Sequence, residues 1–296
     1  MDLTDLAIFR AVAQEGGIVR AARKLHRVQS NVTTRIKQLE DSVGAQLFFR
    51  ERQRLHLSPD GEVLLSYANR LLQLADEARS SVGGNDLRGV LRLGALESTT
   101  ASRLPALLGQ FHRQHPDVRI ELVNGTNDAL VAALADRCID AAFVAEQPNR
   151  EGMSHVPAFD ERLVVITARS HAPVLRSKDI AGDTVIAFPT GCAYRRLLER
   201  WLGDRNLSTV RVMELSSYHA IVTCVGAGTG IAVIPESVLD TVQSEGVSKH
   251  RIPKVLSNVV TPFIWRSGEA LPAVLTLKEM LASMRRLKGS GGSRAR

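Results

Sequence analysis

Apolar positions recur at helical spacing through the first forty-five residues of the chain. Residues 2–15 show an apolar face that stops at a pair of glycines, and a second short apolar segment follows around Leu25. A third segment, ending at Gly44, has an apolar side chain at every third or fourth position. Its apolar members are Val32, Ile36, Leu39 and Val43. The pattern predicts three short helices, the third with a narrow buried stripe and a left-handed glycine at its C-terminus.

The face of the third predicted helix opposite this stripe carries short polar and basic side chains. They are Ser30, Thr34, Lys37 and Gln38, flanked by Asn31 and Thr33. Such side chains can donate and accept hydrogen bonds at base edges in the major groove of DNA. An ordinary solvated helix face usually carries more Glu and Lys. Taken alone, the helix leaves both interpretations open.

A basic ribbon is predicted directly after the third helix, in the segment AQLFFRERQRLHLSPDG. Phe48 and Leu57 can anchor two short strands, while Arg50, Arg52 and Arg54 alternate along one side with the two-residue period of a strand. A basic ribbon beside a recognition helix is suited to hold DNA phosphates or to enter a minor groove.

A long helix is predicted from Pro59, with Ser58 as its N-cap. Its apolar residues follow a three-four spacing: Leu64, Tyr67, Leu71, Leu74 and Ala78. That spacing is typical of a coiled-coil seam, although packing against the rest of the same chain would give a related pattern. Gly83, Gly84 and Asn85 then predict the end of the helix and a hinge.

From Val90 onward, predicted strands alternate with helices. The strands are VLRLGA, VRIELV, DAAFVA, RLVVITA, TVIAF and GIAVIP. This alternation indicates βαβ units with parallel sheets covered by helices. About 200 residues in two clusters of such units predict two lobes, which separate near Asp160 and rejoin near Thr261.

Three segments are expected where strands end and helices begin, which is where open α/β sheets bind ligands. The predicted effector-binding residues are Glu97, Ser98, Thr99, Thr100, Thr126, Thr190, Gly191 and Cys192. Plain helix capping explains any one segment, but three converging segments favour a site for a carboxylate. Glu97 adds an acid, which indicates an ammonium group on the same ligand. We therefore expect a small zwitterionic, amino-acid-like effector.

The composite of helices, QLEDSVGAQLFFR, basic ribbon and LSPDGE resembles the LysR-type transcriptional regulators from Leu6 to about Leu74. The later segments LRLG, HPD and VGAGTGIAVIP resemble the effector domain of the same family. The resemblance implies a winged helix-turn-helix, a linker helix that pairs two subunits, and a two-lobed α/β domain similar to periplasmic binding proteins. The chain departs from the family at VQSNVTT, where the usual pattern is SQPAVSR. Gln29 is kept, whereas Ser30, Thr33 and Thr34 replace the usual Pro, Ser and Arg, so different operator preferences are expected.

The predicted domains are a winged helix-turn-helix (1–58), a linker helix and hinge (59–87), an effector domain (88–288) and a flexible basic tail (289–296). The predicted DNA contacts are Gln29, Ser30, Asn31, Thr33, Thr34, Lys37, Arg52 and Arg54. Two paired recognition helices would bind an operator with dyad half-sites about one helical turn apart. The resemblance further implies that the effector domains assemble homodimers into a homotetramer.

Composition excludes several other classes of protein. The net charge of +7 permits a polyanionic partner without requiring one. Three widely spaced cysteines fit neither a disulfide framework nor a zinc site, so no metal or cofactor is expected. No signal-like or membrane-spanning segment is visible, which predicts a cytoplasmic protein and disfavours an exported solute-binding protein.

Two motifs that would indicate an enzyme are incomplete. The glycines at 226, 228 and 230 lie between a helix and a strand, which is the reverse of a dinucleotide-binding loop. Cys192 follows a strand as a nucleophile would, but the sequence ties no base to it; His219 is the nearest candidate. Catalysis is therefore not expected, and redox sensing by Cys192 remains an alternative.

Overall fold

The computed structural model describes residues 1–51, 54–81, 87–147, 151–180, 182–203, 211–242, 245–253 and 257–291. They form two units, the first Met1–Gly89 with Asp136–Cys138 and the second Val90–Ala135 with Ile139–Arg296. Arg52, the predicted hinge at 83–85 and residues 292–296 of the predicted tail lie outside the described residues.

The first unit contains four helices and a hairpin. In order they are α1 (Leu3–Glu15), α2 (Ile18–Lys24), α3 (Gln29–Val43), β1 (Phe48–Glu51), β2 (Arg54–Leu57) and α4 (Pro59–Ser81). Asp2 and Asp5 form a reciprocal capping box at the start of α1, and Gly44 ends α3 with a φ of 71°. Phe9, Val12, Val32, Ile36 and Leu39 form the centre of the core. The predicted stripe is thus confirmed except for Val43, which is exposed beside the terminal glycine.

Short contacts fix the hairpin between α3 and α4. One carboxylate oxygen of Glu40 accepts hydrogen bonds from the backbone N–H groups of Leu47 (2.8 Å) and Phe48 (3.3 Å). Ser58 caps α4 by accepting a bond from the Gly61 N–H at 2.9 Å, as the sequence predicted. A methyl group on Gly61 would lie only 2.2 Å from the Leu47 carbonyl oxygen, so glycine is required there.

Gly61→Ala is therefore expected to lower the free energy of unfolding of the first unit by about 1–3 kcal/mol, since backbone must move to admit the methyl group. Urea denaturation of the two proteins measures the difference. Gly109→Ala is the matched control, because Cβ there would meet only the end of the Arg113 side chain, at 3.6 Å. That change is expected to stabilise its helix by about 0.5–1 kcal/mol. Equal stability of the Gly61→Ala and parent proteins would contradict the close approach.

The second unit is a mixed α/β structure. Its strands are β3 (Gly89–Ala95), β4 (Val118–Asn124), β5 (Ala141–Phe143), β6 (Met153–Ala168), β7 (Thr184–Ala187), β8 (Arg211–Glu214), β9 (Ile231–Pro235), β10 (Val247–Arg251) and β11 (Asn258–Arg266). Its helices are α5 (Glu97–Ser102), α6 (Leu104–Gln114), α7 (Asn127–Ala135), α8 (Ala193–Leu202), α9 (Tyr218–Gly226), α10 (Glu236–Leu239) and α11 (Pro272–Gly291), with a 3₁₀ turn at Ser177–Ile180.

The strands follow the order β4-β3-β5-β11-β6-β9-β7-β8, with β10 also paired to β6. β4, β3 and β5 belong to a first lobe, and β9, β7 and β8 belong to a second lobe. β6 connects the lobes, because it pairs with β11 as far as Arg162 and with β9 from Leu163. The register of β11 shifts between Thr261 and Pro262. The lobes therefore separate and rejoin where the sequence predicted.

The prediction of parallel sheets is confirmed for only part of the second unit. β3–β5, β7–β8 and β7–β9 are parallel, but β6 and β11 run antiparallel to their neighbours. The first half of β6, together with β8, β10 and β11, was not predicted as strand. In β6, Pro157 and the adjacent charged residues Asp160 and Glu161 interrupt the two-residue period. The last helix, α11, also continues to Gly291, so residues 289–291 of the predicted flexible tail are helical.

Candidate DNA-binding surface and effector cleft

The exposed face of α3 contains every residue of that helix that was predicted to contact DNA. Gln29, Ser30, Asn31, Thr33, Thr34 and Lys37 are all exposed. Val32, Ile36 and Leu39 on the opposite face are buried. The helix therefore presents a continuous surface of hydrogen-bonding side chains, as direct contact with base edges requires.

Local hydrogen bonds distinguish these side chains from one another. The Thr33 hydroxyl donates to the Gln29 carbonyl oxygen in the preceding turn, at 3.0 Å. Asn31 accepts a long bond of 3.4 Å from the Arg27 guanidinium, which leaves its amide N–H groups available. Thr33 thus has its hydroxyl proton engaged within the helix, whereas Asn31 can still donate to a base.

The predicted basic ribbon is an antiparallel hairpin, in which Arg50 pairs with Leu55 and Glu51 pairs with Arg54. Phe48 anchors it, with its ring centroid 5.3 Å from that of Phe9. Arg52 and the side chains of Arg50 and Arg54 lie outside the described residues. Their phosphate contacts remain predictions.

Helix α4 has two apolar faces. Ala68 and Leu72 are buried in the core of the first unit, and Leu64 and Leu65 pack against it. A second stripe is exposed and recurs at three- and four-residue spacing; it consists of Val63, Tyr67, Leu71, Leu74 and Ala78. Leu64 was therefore wrongly assigned to the predicted seam, because it packs against the chain's own core, whereas Val63 lies in the exposed stripe. We call these five residues the α4 stripe.

A cavity of about 360 Å³ lies between the two lobes of the second unit. The first lobe contributes residues 96–98, 124–126 and Ala145, and the second lobe contributes Phe188, Pro189, residues 192–194, Ser216 and Tyr218. Four loops that each join a strand to the next helix meet there, and the sequence predicted three of them. We call this cavity the effector cleft.

Four of the eight predicted effector residues line the cleft, namely Glu97, Ser98, Thr126 and Cys192. The other four do not. Thr99 is buried in the lobe, and the Thr100 hydroxyl donates to Asn124 at 2.7 Å. Thr190 and Gly191 are not among the lining residues, but a methyl group on Gly191 would lie 3.8 Å from the Thr126 methyl carbon, so this loop approaches the first lobe. A helix turns adjacent side chains away from each other, so neighbours such as Ser98 and Thr99 have different surroundings.

Sequence reasoning missed Ser216 and Tyr218, because the short strand β8 that precedes them was not recognised. The signal that could have located them is Ser217, whose side chain caps α9 by accepting from the Ala220 N–H. A serine before an apolar helical run marks a helix N-terminus, and hence another loop at the same edge of the sheet.

Glu97 and Ser98 bring unpaired polar atoms to the cleft. Burial raises the pKa of Glu97, and the backbone N–H of Tyr218 partly offsets this effect. Among the described residues, no group makes a hydrogen bond to Glu97 Oε2 or to Ser98 Oγ, although both atoms are buried. The Ser98 hydroxyl lies close enough to Tyr194 and Tyr218 to act against the burial that raises their pKa values, but neither contact has hydrogen-bond geometry. Buried polar atoms normally have partners, so these two indicate a polar ligand.

The second lobe supplies an aromatic wall. The rings of Phe188 and Tyr218 are 4.5 Å apart between centroids. Tyr194 and Tyr218 are buried, and burial raises the pKa of both phenols, so they stay neutral at physiological pH. The cleft therefore combines one carboxylate with largely apolar and neutral walls.

Cys192 does not resemble an activated nucleophile. Burial raises the pKa of its thiol, although backbone N–H groups at the start of α8 act in the opposite direction. Reactive cysteines need a lowered pKa, so neither catalysis nor redox sensing is favoured. In the described part of the chain, no three His, Cys, Asp or Glu side chains are grouped as metal ligands would be. No helix in the same residues is long and apolar enough to cross a membrane.

A winged helix-turn-helix with a separate two-lobed, cleft-bearing domain defines a ligand-responsive DNA-binding regulator. Two protein-family models match the chain in agreement with this interpretation. The model described as "Bacterial regulatory helix-turn-helix protein, lysR family" matches residues 3–62, and "LysR substrate binding domain" matches residues 84–286. The chain belongs to the LysR family of transcriptional regulators, whose members are regulatory proteins and not enzymes.

Individual relatives match over almost the whole chain. The HTH-type transcriptional regulator GltR of Bacillus subtilis is 33% identical over 93% of this chain and 94% of its own length. The uncharacterized regulator YusT of the same organism is 35% identical over 93% of each chain. A full-length OxyR variant from Pseudomonas aeruginosa shares the fold, with a TM-score of 0.71 at 23% identity over 96% of this chain and 95% of its own.

Proposed function

We propose that α3 provides the sequence-specific contacts of this regulator, through Gln29, Asn31 and Thr34 in particular, with Ser30, Thr33 and Lys37 beside them. The observation that supports this assignment most directly is the exposed hydrogen-bonding face opposite the buried stripe. Arg52 and Arg54 of the hairpin hold the DNA backbone in this proposal. Phosphate contacts position a protein on DNA, whereas contacts with base edges specify sequence.

Thr34→Ala and Arg54→Ala are expected to have different effects on DNA binding. A duplex selected from a random library with the full-length protein serves as the operator, and gel shifts measure affinity for each single-base variant. Thr34→Ala should cost about 1–3 kcal/mol at one base position, while Arg54→Ala should weaken all sequences alike and reduce the salt dependence. Thr33→Ala is the matched variant and should cost less, because that hydroxyl proton is engaged by the Gln29 carbonyl. The opposite pattern for Thr34 and Arg54 would reverse the assignment.

We also propose that the α4 stripe pairs two chains, so that residues 59–87 act as a dimerising linker between a DNA-binding domain (1–58) and an effector domain (88–288). Tyr67 and Leu74 are 58% and 60% exposed, which is unusual for large apolar side chains at regular helical spacing. Two such stripes pack well as a coiled coil. Contacts between effector domains would then assemble two dimers into a tetramer on dyad half-sites.

The cleft between the lobes is the proposed effector site, with Glu97, Ser98, Thr126 and Cys192 as its contacts. The lobes are joined beside it by an ion pair, since Arg196 Nη2 lies 3.1 Å from Glu146 Oε2. A ligand that touches both lobes stabilises one relative orientation of them, and differential affinity of this kind is what an effector needs to change a protein's state. Thr190 and Gly191 belong to the proposed rim of this site, close to Thr126.

A further inference from the structure

The effector cleft has a strongly asymmetric charge. Glu97 is the one charged side chain among the lining residues that the structure describes. The two arginines at the start of α8 are engaged elsewhere. Arg195 donates to the Phe188 carbonyl oxygen at 3.0 Å and pairs with Glu214, and Arg196 pairs with Glu146. An anionic ligand would therefore meet a carboxylate, and no described lining residue carries a positive charge to balance it.

Glu97 is oriented to accept hydrogen bonds from a ligand. The nearby backbone N–H of Tyr218 acts on its carboxylate, and Oε2 is buried without a partner in the described residues. Ser98 Oγ, whose residue is only 3% exposed, is likewise buried at the cleft without a hydrogen-bond partner in the described residues. A carboxylate accepts hydrogen bonds and donates none, whereas a primary ammonium has three donors. An ammonium group is thus the complement of this pair of atoms.

The remaining walls favour an apolar body on the same ligand. Phe188 and Tyr218 form one wall, and Leu96, Ala145 and Pro189 add further apolar surface. The volume of about 360 Å³ admits a molecule of the size of an amino acid with a large side chain. Such walls also lower the local dielectric constant, which strengthens the attraction between a buried carboxylate and an ammonium group.

We propose that the effector is a small organic ammonium compound with an apolar body, held by Glu97 through its ammonium group and by the Phe188–Tyr218 wall through its body. This inference rests on the proposed role of the cleft as the effector site. A free amine and an apolar amino acid share this chemistry. In the amino acid, the uncapped first turn of α8 would receive the carboxylate.

The test uses four probes with one phenyl body: 2-phenylethylamine, L-phenylalanine, 2-phenylethanol and 3-phenylpropanoate. A second series, isopentylamine, L-leucine, 3-methylbutanol and 4-methylpentanoate, replaces the ring by a branched chain. Calorimetry on the full-length protein measures each affinity. We expect at least one ammonium compound to bind about 10- to 100-fold more tightly than the alcohol and the anion of its series, the range typical of a hydrogen bond to a charged group. Comparing the amine with the amino acid of each series shows whether the effector is a free amine or an amino acid.

Glu97→Gln removes the charge and keeps the shape, so it should lower that affinity by a similar factor. Glu151→Gln is the matched control, because Glu151 is exposed on the same lobe and should change nothing. Tighter binding of an anion, binding unaffected by Glu97→Gln, or no binding in either series would each overturn the inference. Gel shifts on the same preparations separate these outcomes from failure of the proposed function. A protein that binds its selected duplex but no ammonium compound is a regulator whose effector belongs to another chemical class. A protein that binds no duplex contradicts the proposed function itself.

Discussion

Leu74→Glu is expected to convert the protein to a monomer and to lower its affinity for a two-half-site operator by about 10²–10⁴-fold, the usual gain from binding two linked sites. Leu74 lies within the α4 stripe and is 60% exposed in a single chain. A glutamate there costs the isolated chain little, but in a coiled coil it would place two carboxylates against each other in an apolar seam. Analytical ultracentrifugation gives the oligomeric state, and gel shifts on one and two half-sites give the affinities.

The control for this prediction is Ser66→Glu, an equally charged change at an exposed position of α4 outside the stripe. It should leave both the oligomeric state and the affinity for the full operator unchanged. Leu74→Glu should also keep its weak affinity for a single half-site, because α3 and the hairpin are unaltered. A Leu74→Glu protein that remained dimeric with full operator affinity would show that the α4 stripe is not the seam.

The DNA-binding half was predictable from sequence because its signals are local. Alternation between Val32, Ile36 and Leu39 on one face and Asn31, Thr34 and Lys37 on the other follows directly from the helical period. Caps at Ser58 and Gly44 were equally visible, since each cap depends on one residue and its immediate neighbours. Leu64 shows the limit of this reasoning. It lies on the border between two apolar faces of α4, and only packing decides which face it joins.

The effector cleft was predictable only in part, because its residues come from distant segments. Glu97, Ser98, Thr126 and Cys192 were found since each follows a recognisable strand. Tyr218 was missed because β8 is four residues long and mostly exposed, without a clear two-residue period. The connecting strands β6 and β11 were also hidden, since residues such as Asp160 and Glu161 interrupt the apolar pattern where β6 passes between the lobes.

That interruption reflects an ion pair between a buried carboxylate and a partly exposed arginine at the junction of the lobes. Glu161 lies on β6 and its side chain is only 3% exposed. Its carboxylate accepts hydrogen bonds from the Arg103 guanidinium at 2.6 and 3.0 Å. It also accepts a bond of 2.7 Å from Ser237 of α10 in the second lobe. Arg103 lies between α5 and α6 of the first lobe. One buried carboxylate thus connects groups from both lobes at the point where β6 changes partners.

Arg103→Met is therefore expected to lower the free energy of unfolding of the effector domain by about 3–5 kcal/mol. It would leave the Glu161 charge buried, with the Ser237 hydroxyl as the one side-chain donor that the described residues still offer it. Urea denaturation of the full-length protein measures the loss. The double variant Arg103→Met/Glu161→Leu should recover most of it, since replacing both members of a buried pair with apolar side chains is often neutral or stabilising.

Arg162→Met is the control, because Arg162 is 57% exposed and lies 3.9 Å from Glu236; its loss should cost at most about 1 kcal/mol. If Arg103→Met were as mild as Arg162→Met, or if the double variant were less stable than the single one, Glu161 would not depend on Arg103 for its burial.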